Sequence, residues 1–205
     1  MMNFIGTAKR LDDIDLPRAG ALIGVGEDEI HAVLDTETAG TGFDAAGRPR
    51  LLFEPHVFFR LLSRAGKSEA LYEARKQDLA YPRWGMEKYP KDSYPRLMAA
   101  MDLDQELALQ SGSFGLGQLM GFNYAVAGYG SALAMVIDFM ADEENQLNAM
   151  IRFIVSTGLD DELRRHDWKG FARGYNGPGF AKNGYDKKLV ARFNAWQKIK
   201  DTQLN

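Results

Sequence analysis

The chain has no cysteine among its 205 residues, so no disulfide framework is open to it, and its three histidines cannot complete a Cys/His zinc site. His31, His56 and His166 lie so far apart that any metal site would have to be assembled by the fold from distant positions. Long apolar runs are also missing. No stretch approaches the roughly 18 residues of a membrane-spanning helix. The opening Met-Met-Asn-Phe-Ile-Gly-Thr-Ala-Lys-Arg lacks a basic region followed by an apolar core and a small-residue cleavage site. These absences predict a protein with no conventional export signal and no stable membrane insertion. There is no internal repeat, low-complexity tract or Pro/Gly/Ser linker long enough to separate domains. One domain over residues 1–205 is expected, with 45% hydrophobic residues to fill a single core.

Charge is present but unevenly spread. The net charge is −3, yet the segment from Arg164 to Lys200 carries ten Lys or Arg against Asp167 and Asp186, a local balance of +8 that leaves −11 for the rest. Such asymmetry fits the solvated surface of a helix, or a basic face that draws the protein toward a polyanionic wall or membrane surface.

Apolar spacing predicts mostly helix. Ile30, Val33 and Leu34, preceded by the acids Glu27-Asp28-Glu29, describe an amphipathic helix that ends near Glu37, with Gly40 just beyond. A second helix is expected from Pro55 to Ser63, and others over 66–78, 94–110, 114–120, 131–140, 143–156, 168–175 and 185–198. Leu51-Leu52-Phe53 reads as a short strand, residues 42–50 as a turn-rich loop, and residues 81–90 as an aromatic loop.

Two carboxylates separated by 17 residues stand out, Glu37 and Glu54. The carbonyl dipoles of a last helical turn disfavour a charge on Glu37, and desolvation by Phe43 and Phe53 acts the same way. A carboxyl group kept protonated near neutral pH can donate to a leaving glycosidic oxygen. An exposed Glu at a frayed helix end would carry the same spacing. Glu54 lies in the apolar run Leu51-Leu52-Phe53-Glu54-Pro55-His56-Val57, where an unpaired charge is costly. It could cap the helix that starts at Pro55, pair with Arg48, Arg50 or His56, or serve as a second carboxylate that binds water or steadies positive charge on a sugar.

The segment Ser113-Phe114-Gly115-Leu116-Gly117-Gln118 allows close backbone approach and offers an amide that both donates and accepts. It suits a sugar or a tight helix-packing junction, and it lacks the pattern of a phosphate-cradling loop. Tyr175-Asn176-Gly177 ends a helix, and Asn-Gly-Pro-Gly is in any case a good helix stop. Tyr81, Trp84, Tyr89 and Tyr124 could stack on sugar rings or simply pack.

Taken in order, Glu37-Thr38-Ala39-Gly40-Thr41-Gly42-Phe43, Leu52-Phe53-Glu54-Pro55-His56, the segment from Ser113 to Gln118, and Tyr175-Asn176-Gly177 resemble the N-acetylmuramidase family of phage endolysins and bacterial cell-wall lysins. The resemblance runs over roughly residues 3 to 197. It extends more distantly to goose-type lysozymes and lytic transglycosylases, whose catalytic Glu ends a helix before a small hydroxyl residue, as Thr38 is here. Phe114 stands where many relatives have Trp.

The resemblance implies a mainly α, lysozyme-like fold, in which a helical lobe and a small loop and short-strand lobe around residues 40–54 flank a cleft. It implies Glu37 as catalytic acid and Glu54 as the second catalytic carboxylate, with Asp44 and Asp35 next in line. Ser113, Phe114, Gln118, Asn123, Tyr124, Tyr175 and Asn176 would contact substrate. The implied activity is cleavage of the β-1,4 bond between N-acetylmuramic acid and N-acetylglucosamine in peptidoglycan, by inversion, since the intervening loop leaves room for a water between the two carboxyl groups. The alternatives are a lytic transglycosylase that yields 1,6-anhydro products, and a non-catalytic peptidoglycan-binding component, against which an intact Glu37 speaks. No cofactor, metal or nucleic acid is implied. A monomer is expected, made in the bacterial cytoplasm, acting on the cell wall and having no room for a separate wall-binding domain.

Overall fold

In a computed structural model of the chain, residues 2–37, 41–86 and 88–199 are described. Helix dominates, as the apolar periodicity predicts. Eleven α-helices and one three-stranded sheet are present among the described residues. The acidic start at Glu27 opens α2 (Glu27–Glu37), which buries Ile30, Val33 and Leu34 and packs chiefly against α11 (Tyr185–Trp196) and α1 (Asp15–Ile23). Helix α1 was not expected from the sequence. Pro17 is tolerated in its first turn, where backbone N–H groups lack helical partners anyway, and Gly24 at φ +75° closes it.

Pro55 starts α3 (Pro55–Arg64), its missing N–H costing nothing at that position, and α4 (Ser68–Lys76) follows. The helix expected over 94–110 is two helices, α5 (Tyr94–Leu103) and α6 (Gln105–Gln110). Asp104 adopts an extended conformation and its carboxylate accepts the Leu107 N–H at 3.0 Å. A short acid that caps the backbone in this way restarts the helix rather than continuing it. Asp142 plays the same part between α7 (Ala132–Ala141) and α8 (Glu143–Ser156). The one-turn α9 (Asp160–Arg164), also unexpected, precedes α10 (Trp168–Asn176).

The helix expected over 114–120 does not form. Gly115 and Gln118 have φ of +69° and +45°, and left-handed residues cannot continue an α-helix. They turn the chain between β2 (Gly112–Phe114) and β3 (Leu119–Met120), with β1 (Leu51–Phe53) as the third strand in the antiparallel order β1-β2-β3. Phe53 and Phe114 point from this sheet into the core, where both are fully buried. The sheet and the loop before it form the small lobe.

Candidate active site

Glu37 is the last residue of α2, and its side chain is partly buried. Burial raises its pKa from 4.5 to about 7, against the opposing pull of a hydrogen bond from Asn176 and the nearby Lys188 ammonium. Asn176 is itself the last residue of α10, and its Nδ2 donates to Glu37 Oε1 at 2.8 Å. Asn176 Oδ1 is buried without a hydrogen-bond partner among the described residues. Tyr175, beside it, donates to the Gly117 carbonyl at 2.7 Å and stacks on Phe171. Burial, and then the Glu37 charge, push the phenol well above its usual pKa, so it stays protonated and keeps the proton it donates to Gly117.

Glu37 faces a cavity of about 230 Å³ that it shares with Gln118 and with residues of the 44–51 and 91–94 segments. Gln118 is held by its own turn: its Nε2 donates to the Gly115 carbonyl at 3.0 Å, and Ser113 Oγ donates to its Oε1 at 3.1 Å. Behind this turn lies Gln146 of α8, 1% exposed, whose Oε1 accepts the Leu116 N–H at 2.7 Å and whose Nε2 donates to the Phe139 carbonyl. Gly42 and Gly115 close around that amide, where an added Cβ would meet Gln146 Oε1 at 2.0 and 2.6 Å. Glu143 of α8, also buried, accepts the Gly42 N–H at 2.7 Å and pairs with Arg10 at 2.6 Å.

On the opposite wall, Arg48 binds Asp44 Oδ2 at 2.6 Å and Asp92 Oδ2 at 3.3 Å, with its guanidinium 4.1 Å from the Tyr94 ring centroid. Burial alone would raise the Asp44 pKa, but hydrogen bonds from Arg48 and from the Arg48 and Ala46 N–H groups outweigh it and hold the carboxyl below its ordinary value. Asp44 is thus a charged carboxylate with its oxygens committed to its own loop. Asp92 also accepts the Tyr94 N–H at 3.0 Å.

The other expected site residues are dispersed. Glu54 does not line the cavity. Its Oε2 accepts a short hydrogen bond from Tyr89 Oη, and His56 Nδ1 stands 3.2 Å away, so of its readings the proximity to His56 is the one the geometry places. It makes no side-chain cap to α3. Phe114 cannot reach a sugar, because it is wholly buried under the sheet, which corrects the expectation of a substrate contact there. Asn123 and Tyr124 belong to the short 3₁₀ turn Gly121–Asn123 and its cap, outside the cavity lining. Asp35 receives the Trp196 indole N–H at 2.9 Å in the α2–α11 contact. Thr38, Ala39 and Gly40, part of the motif that drew attention to Glu37, lie outside the described residues. Arg48, Arg50, Lys91 and Tyr94 were not singled out in the sequence as cavity residues. Among the described residues, no group of three or more His, Asp or Glu side chains is placed to hold a metal ion, and no helix is long and apolar enough to cross a membrane.

The N-acetylmuramidase (Muramidase) family model matches residues 27–197, most of the chain and every segment that builds the cavity. The chain belongs to the N-acetylmuramidase family. As a muramidase it cleaves peptidoglycan. Its fold is similar to the crystal structure of the Burkholderia AP3 phage endolysin, at 33% identity and a TM-score of 0.80, over 93% of this chain and 73% of that one. The lysozyme-like architecture expected from the sequence is therefore present. No curated protein sequence matches the chain.

Proposed function

We propose that this muramidase cleaves the β-1,4 bond between N-acetylmuramic acid and N-acetylglucosamine, with Glu37 as the general acid, and that it serves as a phage endolysin. The observation that carries the reading is Glu37 itself, a cavity-facing carboxyl whose pKa of about 7 leaves a large protonated fraction at neutral pH. Such a group can protonate the glycosidic oxygen as the bond to the anomeric carbon breaks. Asn176 and Tyr175 fix the walls beside it, and Gln118 presents its turn to the sugar.

A second mechanism is favoured by the state of the other carboxylates. Asp44 and Asp92 are bound to Arg48, and Glu54 is engaged by Tyr89 and His56 away from the cavity. With Glu37 the one cavity carboxyl that is not ion-paired among the described residues, the muramic acid's own acetamido group and 6-hydroxyl can supply the nucleophilic steps, as in a lytic transglycosylase, rather than an inverting carboxylate pair.

The deciding experiment is mass spectrometry of muropeptides released from purified peptidoglycan, run beside Glu37→Gln. Reducing-end muramic acid identifies hydrolysis, and a product lighter by one water identifies the 1,6-anhydro route. Glu37→Gln should cut turnover by roughly 10²- to 10⁴-fold while remaining folded. Turbidity clearance at the wild-type rate by that variant overturns the assignment.

A further inference from the structure

Although the protein is acidic overall, the cavity beside Glu37 is not. Its fixed charges are Arg48, Arg50 and Lys91 against Asp44 and Asp92, with Glu37 about half protonated near pH 7. Arg48 is consumed by both acids and by the Tyr94 ring. Arg50 and Lys91 remain. Both side chains are exposed, and neither pairs with an acidic group among the described residues.

The Arg50 backbone is nonetheless held in place. The Arg50 N–H donates to the Gly42 carbonyl at 2.7 Å, and its carbonyl accepts the Gly115 N–H at 2.8 Å, which pins the residue between the two glycine segments that pack on Gln146. Lys91 precedes Asp92, which is tied to Arg48 and to the Tyr94 N–H. Two cations without acidic partners among the described residues, one of them on an anchored backbone and both on the same cavity as a proton donor, are suited to an anionic ligand. A neutral polysaccharide would offer them hydrogen-bond acceptors but no opposite charge.

We infer that Arg50 and Lys91 are specificity-determining residues that recognise carboxylates carried on the muramic acid side of the scissile bond, so that the enzyme prefers charged glycan strands to uncharged ones. The inference rests on the glycosidase reading of this cavity and names the substrate feature it selects. The carboxylate can come from the stem peptide, or from the lactyl group where the stem has been removed. Both present the same acceptor oxygens to a guanidinium or an ammonium.

The test compares initial rates of the full chain and of Arg50→Gln/Lys91→Gln on four soluble strand preparations. These are stem-bearing strands, the same strands with carboxylates converted to carboxamides, stem-free strands with free lactyl carboxylates, and stem-free strands likewise amidated. The wild type should cut carboxylate-bearing strands roughly five- to tenfold better than amidated ones, mainly through KM, and added salt should erase the difference. The double variant should lose that preference rather than lose the same factor on every preparation. A preference seen only with stem-bearing strands assigns the stem carboxylates as the ligand, one seen only with stem-free strands assigns the lactyl carboxylate, and one seen with both shows that the two cations accept either. If the wild type cuts both charged and amidated strands equally, or the variant keeps the full preference, the inference is overturned while the glycosidase reading stands. If the wild type cuts none of the four, the glycosidase reading fails with it. Because both side chains are exposed, the variant should melt like the wild type, and the single substitutions provide the same readout at smaller amplitude.

Discussion

The Glu37 carboxyl and the Asn176 amide meet at 2.8 Å where the C-terminal ends of α2 and α10 converge. Burial disfavours the ionised form of the carboxyl, as does its place at a helix C-terminus, and the amide supplies the counterweight by donating to the carboxylate.

Removing that amide should therefore raise the Glu37 pKa further. The wild-type kcat/KM should fall as pH climbs through about 7, because the acid is lost. In Asn176→Ala, that alkaline limb should move to higher pH, read from rates on soluble strands. A limb that stays in place or moves downward contradicts the role given to the hydrogen bond.

The same shift makes a stability prediction. A carboxyl whose folded pKa lies above its unfolded value contributes stability at low pH, and that contribution is lost as pH rises from about 4.5 through about 7. The loss is on the order of 3 kcal/mol. Glu37→Gln, which never ionises, should be more stable than the wild type at pH 8 and should show a smaller difference at pH 4. Denaturant unfolding at the two pH values checks it.

Glu54 should behave as a structural carboxylate. Glu54→Gln weakens the Tyr89 contact and deprives His56 of its anion, for a cost of about 1–3 kcal/mol. The expected result is a lower Tm with the rate per folded molecule nearly unchanged. A large fall in turnover without loss of stability would instead return Glu54 to the chemistry.

For the basic C-terminal part, Arg164 and Arg165 are already paired with Asp160 and Asp161 of α9, and Lys188 lies within electrostatic reach of Glu37. Lys169, Lys187 and Arg192 are exposed and are the cleaner test of approach to the wall. Replacing all three with Gln should slow clearance of permeabilised cells at low salt and leave cleavage of short soluble strands alone, since exposed charge is screened over about 8 Å at physiological ionic strength. Equal slowing on both substrates would assign them to the fold or the cleft.

What the sequence disclosed about the site was whatever is encoded locally. The α2 period with its acidic first turn placed Glu37 at a helix end, and Tyr175-Asn176-Gly177 marked the end of α10, both within a few residues. Between residues 114 and 120 the reading failed because the left-handed conformation of Gln118, a non-glycine, leaves no compositional trace. Glu54 was ambiguous for a different reason. Its partner Tyr89 lies 35 residues further on, in a loop that no periodicity locates. The wall of Arg48, Asp92 and Tyr94 is equally non-local, joining residues more than forty positions apart through charge and ring contacts that only the fold creates.

The glycines that enclose Gln146 bear on how this enzyme can vary. Gly42 and Gly115 sit in the segments that carry the cavity residues Asp44 and Gln118, yet the space that forbids them a side chain is occupied by the buried amide of Gln146. Enlarging either glycine therefore asks Gln146 to shorten at the same time, and a shorter residue there forfeits the acceptor for the Leu116 N–H. The three positions are a coupled set, and a search for altered specificity that changes them one at a time will meet misfolding before it meets a new substrate.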